Sequence, residues 1–152
     1  MNDRFRIEKV KVAITLYLTH GAEMPGFVFL NPFMGELGIR ESFRDSLNKK
    51  EQFFPFLAQE TKGAVLVNRK NIVRLSLSQP ERTMSEEISR QEKVSITLYD
   101  GVSMEGVVFV NMPSECGRLS DFLNQIDQFM YLSCGDDDWL INTDFIRFVE
   151  SL

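Results

Sequence analysis

Few residues in this 152-residue chain are of a type and spacing to do chemistry, and the first to weigh are cationic. Arg69 and Lys70 share a predicted turn, with Lys49, Lys50, Lys62 and Arg74 nearby in sequence. Together they are a candidate phosphate-binding patch, the kind of cluster that neutralises a nucleic-acid backbone. Basic residues at strand edges and turns also guard against aggregation, which requires no ligand. Asp136, Asp137 and Asp138 set three carboxylates side by side, but adjacency sends them in different directions without the spacing of a calcium loop, so a solvated hairpin turn is expected. His20 is the sole histidine and stands beside Gly21 at a predicted hairpin tip, which excludes a histidine-based triad or multi-histidine metal site within one chain. Asp45 and Asp121 read as capping residues of short helices, Trp139 as a core residue, and Cys116 and Cys134 as reduced thiols. The sequence carries no glycine-rich phosphate loop, nucleophile elbow or metal-ligand cluster. The expectation is a protein that is not an enzyme and has no cofactor.

The elements that would hold these residues come in two sets. KVAITLY (Lys11 to Tyr17) returns as KVSITLY (Lys93 to Tyr99). Met24, Gly26, Val28, Phe29 and Asn31 then line up with Met104, Gly106, Val108, Phe109 and Asn111, the changed offset being assigned to a first hairpin turn two residues longer than the second. Asp45, Leu47, Asn48 and Phe53 match Asp121, Leu123, Asn124 and Phe129, and Leu66, Asn68 and Ile72 match Leu140, Asn142 and Ile146. Collinear matches in four separated blocks indicate tandem duplication of one folding unit. The expected organisation is a first repeat over 1–78, a polar, charged linker over 79–92 in which Ser85-Glu86-Glu87 could open a short helix, and a second repeat over 93–152.

Within a unit, Val12, Ile14 and Leu16 alternate with outward residues, as do Val94, Ile96 and Leu98, which is the pattern of a half-buried strand. The next strand, PGFVFLN or EGVVFVN, is apolar on both faces and has a glycine near its start, as suits a sharp bend. RLSDFLN and RESFRDSLN follow, predicting a short helix with Asn124 as a left-handed cap. QFFPFLAQ, AVLVN and IVRLSL, or QFMYLS, WLIN and IRFVES, complete five strands per copy. Five short strands with no room for crossover helices predict a mainly β fold of two tandem small five-stranded antiparallel barrels, each with a short helix between strands 2 and 3.

In its motifs each copy resembles the Sm-like (Lsm and Hfq type) barrel. The family's V-x-I-x-L strand, turn glycine and strand-opening glycine are matched by Val94, Ile96, Leu98, Gly101 and Gly106, and by Val12, Ile14, Leu16, Gly21 and Gly26. Its R-G-N-x-I turn is matched by Arg69-Lys70-Asn71-Ile72. The resemblance implies packing of barrels through strand edges and, in many members, RNA binding. Two departures bear on the RNA part. The base-holding loop is replaced by Pro32-Phe33-Met34-Gly35 and by Met112-Pro113-Ser114, and the second copy's turn is Thr143-Asp144-Phe145, without a basic residue.

Net charge sharpens this. Residues 1–80 carry +4 and residues 81–152 carry −9, giving −5 overall. Opposite signs on related units favour contact between them, while an acidic second copy repels nucleic acid. The chain starts without a signal-like apolar stretch and has no run of membrane-spanning length, so a cytoplasmic protein with no membrane partner is expected. The functional expectation is an interaction or assembly module, two Sm-like barrels packed as a pseudo-dimer whose partner is itself or another protein. The alternative is RNA binding through the basic first repeat at Lys49, Lys50, Arg69, Lys70 and Arg74.

Overall fold

The computed structural model describes residues 9–30, 42–49, 51–60, 63–112 and 118–152. Lys50, Lys62, Cys116, the Pro32 to Gly35 loop and Pro113-Ser114 lie outside the described residues. The first repeat contains β1 (Val10–Leu18), β2 (Glu23–Leu30), α1 (Phe43–Asn48), β3 (Phe53–Ala58), β4 (Val65–Asn68) and β5 (Ile72–Leu77). A short helix, α2 (Met84–Glu87), follows in the connector. The second repeat contains β6 (Arg90–Leu98), β7 (Ser103–Val110), α3 (Leu119–Leu123), β8 (Phe129–Cys134), β9 (Asp137–Asn142) and β10 (Ile146–Ser151). Each half of the chain has a short helix between its second and third strands, as the sequence predicts.

All ten strands join one antiparallel sheet in the order β10-β6-β7-β8-β9-β5-β1-β2-β3-β4. The two halves have the same internal order and meet at β9 and β5. Two closed five-stranded barrels are not what forms: among the described residues no ladder joins β4 to β5 or β9 to β10. The reason is a competition for edges. Closing either unit needs the outer edge of β5 or of β9, and those edges are paired with each other. The sheet therefore stays open at β4 and β10.

The alternation in the first strands holds. Val12, Ile14 and Leu16 are buried, and Val94, Ile96 and Leu98 are fully buried. At Gly26 and Gly106 the second strands let a neighbouring strand close in; a Cβ at Gly26 would stand 2.3 Å from the Leu57 carbonyl oxygen, and one at Gly106 2.6 Å from that of Ser133. Two apolar clusters result, and they are not separate by repeat. Phe109, Phe129, Tyr131 and Leu140 of the second repeat belong to the first cluster, and Val73 of the first repeat belongs to the second.

The hairpins correct the expected turn lengths. Leu18 donates its N–H to the Ala22 carbonyl and Leu98 to that of Val102, both at 2.8 Å, so both turns are equally long. Leu16 pairs with Met24 and Ile96 with Met104, which equates Leu16 with Ile96 rather than with Leu98. KVxITLY is thus displaced by two residues between copies. A strand has a side-chain period of two, so the slide leaves every residue on its original face. His20 occupies the first turn at φ 67 beside Gly21 at φ 85, the left-handed geometry of a turn residue.

The helix caps also differ from expectation. Ser42 caps α1, its hydroxyl accepting from the Asp45 N–H at 3.0 Å, while Asp45 and Asp121 are first-turn residues that complement the helix dipole. Asn124 is right-handed at φ −79 rather than a left-handed cap.

Candidate functional site

The basic residues do not act as one patch. Arg69 donates to the carbonyl oxygens of Leu47, at 3.2 Å, and of Lys49, binding the end of α1 to the turn after β4. Lys70 is exposed on that turn. Arg74 lies on β5 at the meeting of the repeats, 4.6 Å over the Tyr17 ring and 4.9 Å over that of Trp139. Trp139 is half-buried, packed against the second apolar cluster and against Tyr17, with ring centroids 5.4 Å apart.

That junction is the most built part of the molecule. The β5 to β9 ladder pairs Arg74 with Ile141, Leu75 with Leu140, Ser76 with Trp139 and Leu77 with Asp138. Leu75, Leu140 and Ile141 are fully buried there. Two asparagines fasten the Arg74–Ile141 end of the ladder. The Asn142 side chain donates to the Ile72 carbonyl at 2.9 Å, and Asn48, at the end of α1, accepts from the Phe129 N–H at 2.9 Å.

The connector clamps the same joint. Glu81 accepts from the N–H groups of Phe43 and Arg44 at 2.7 and 2.8 Å, satisfying the first turn of α1, and donates its own N–H to the Tyr131 hydroxyl at 2.9 Å. Tyr131 donates in turn to Asp138, which pairs with Arg82 at 3.6 Å. Thr83 and Glu86 form a capping box on α2, and Glu86 pairs with Arg44. Burial raises the Glu81 and Tyr131 pKa values, the Asp138 hydrogen bond adding to the latter. Burial pushes the Glu86 carboxyl up, but Arg44 and Thr83 outweigh it and hold it below the usual range. The Cys134 thiol is raised to about 11 by burial, with Asp138 and Asp137 adding to the effect, so it is protonated at neutral pH. Of the three aspartates, Asp136 and Asp137 are exposed as expected, whereas Asp138 is buried in this clamp. Nothing in DDD marks which carboxylate turns inward; only the pairing register does.

The sheet ends are the counterpart of the junction. On β4, Leu66 is 71% exposed, and beside it on β3 Phe53 is 51% exposed; on β10, Phe148 is 47% exposed. A cleft of ≈ 800 Å³ runs along the connector past Arg44, Glu81, Arg82, Glu86, Asn111 and Asp127, in which Arg44 pairs with Glu86, Arg82 with Asp138, and Glu81 accepts from backbone N–H groups. Among the described residues no three His, Cys, Asp or Glu side chains gather to hold a metal ion, and no helix is long and apolar enough to cross a membrane. No protein-family model matches this chain, and neither does any curated protein or solved structure.

Proposed function

We propose that this chain is a non-enzymatic, Sm-like assembly module. Each chain is a built-in pseudo-dimer, and copies join head to tail through β4 of one and β10 of the next. The observation that carries the reading is the β5 to β9 junction. Its two edges recur, by repeat, as β10 and β4, and both stand open at opposite ends of one sheet. An open, apolar strand edge is a template for pairing with another chain. The contact is heterologous, so copies close into a ring if the rotation permits and form a filament if it does not. The opposite charges of the repeats favour the same head-to-tail order.

Nucleic-acid binding through Lys49, Lys50, Arg69, Lys70 and Arg74 is the lesser reading, because Arg69 is committed to carbonyl oxygens and Arg74 to two aromatic rings. Size exclusion with light scattering tests both. Assembly predicts a nucleic-acid-free mass at a multiple of 17.6 kDa. A monomer at all concentrations overturns it, and a monomer that carries nucleic acid, released by salt, replaces it with the second reading.

A further inference from the structure

We infer that the joint between chains has a fixed register set by Asn68 and Asn124, and that the partner is a second copy of this chain; this rests on the head-to-tail reading above. Both asparagines are repeats of ones that already bridge the internal junction. Asn68 stands opposite Phe53 in the β3 to β4 ladder as Asn142 stands opposite Phe129 in the β8 to β9 ladder. Both side-chain oxygens accept from the N–H two residues on, at 3.0 Å: Lys70 for Asn68 and Asp144 for Asn142. The Asn142 amide nitrogen then donates across the junction to Ile72, whereas that of Asn68 has no partner among the described residues. Asn124 follows α3 as Asn48 ends α1, and its side chain likewise has none.

Carrying the internal pairs over by repeat sets Phe148 opposite Val67, Val149 opposite Leu66, Glu150 opposite Val65 and Ser151 opposite Ala64 of the next chain. In that register the Asn68 side chain donates to the Ile146 carbonyl of one neighbour, and the Asn124 oxygen accepts from the Phe53 N–H of the other. The two asparagines have opposite jobs, one as donor and one as acceptor. An unpaired polar group left at such a joint weakens it, so the same Asn→Asp change weakens the joint at Asn68 and spares it at Asn124.

The test is self-association of purified variants by sedimentation, with circular dichroism melting as a check on the monomer. Asn68→Asp keeps the acceptor for Lys70 and removes the donor, and weakens association about tenfold or more. Asn124→Asp keeps its acceptor and leaves association within about threefold, whereas Asn124→Leu weakens it as Asn68→Asp does. With Cys116→Ser and Cys134→Ala removing native thiols, Leu66→Cys combined with Val149→Cys forms an interchain disulfide on mild oxidation. Wild-type assembly with equal responses to Asn68→Asp and Asn124→Asp, or with no Leu66→Cys to Val149→Cys crosslink, overturns the register and leaves head-to-tail assembly standing. A wild-type protein that does not associate overturns both.

Discussion

The internal junction and the two sheet ends differ most in burial at matching ladder positions. Phe129 is 1% exposed and Phe53 51%; Leu140 is 0% exposed and Leu66 71%. These pairs occupy equivalent places in equivalent ladders, so local sequence does not explain the contrast. The presence of a neighbour does. The comparison also shows what makes the internal joint permanent. Tyr131 and Asp138, which tie the connector to β8 and β9, correspond to Pro55 and Ala64, so those two polar groups are not repeated at the open ends. On the proposed reading they offer apolar side chains and two asparagines to a reversible joint. Tethering by the connector further favours the internal contact through effective concentration.

The sharpest way to break this comparison is to make one cut on both sides of it. Phe129→Ala removes a fully buried ring and costs about 3–5 kcal/mol of stability in denaturant titration, whereas Phe53→Ala at the open end costs under about 1 kcal/mol and acts on association instead. Equal losses at the two sites would show that the ends are not vacant copies of the junction. Next in size are the close approaches at the two glycines. Gly26→Ala and Gly106→Ala both force a Cβ into a carbonyl oxygen and each costs about 1–3 kcal/mol, in line with their equivalent places.

The clamp comes third. Tyr131→Phe leaves Asp138 buried with one hydrogen bond fewer and costs about 1–3 kcal/mol in the monomer while leaving association unchanged. The smallest effect is on pH dependence. The folded Glu86 carboxyl lies below its unfolded value, so its contribution is present above the ordinary carboxylate range and is lost as pH falls through that range to the lowered value. Glu86→Gln removes that share of acid destabilisation, read as a flatter midpoint against pH below about pH 5.

Local order was legible in the sequence because it is written in local pattern. Alternation placed Val12, Ile14 and Leu16 inside, and two glycines marked the places where a neighbouring strand comes close. What was not legible depends on pairing between distant residues. The two-residue slide of KVxITLY was hidden because it preserves every face. Barrel closure was expected because each unit was read alone, and only the β5 to β9 pairing reveals that the closing edges are taken. The inward turn of Asp138 was hidden for the same reason, since its ion-pair partner Arg82 comes from the connector. The asparagines were visible as a repeated pair, but Asn124 was assigned to a cap because a helix-terminal asparagine has that local use; the cross-junction bond of Asn48 gives the alternative.

Amide hydrogen exchange of the whole chain across a range of protein concentrations tests the central claim most directly, because it reads each edge separately. The account predicts that the outward amides of β4 and β10 gain protection together as concentration rises, while β5 and β9 are protected throughout. Edges that exchange at the same rate at every concentration, or protection gained by only one of the two, would contradict it.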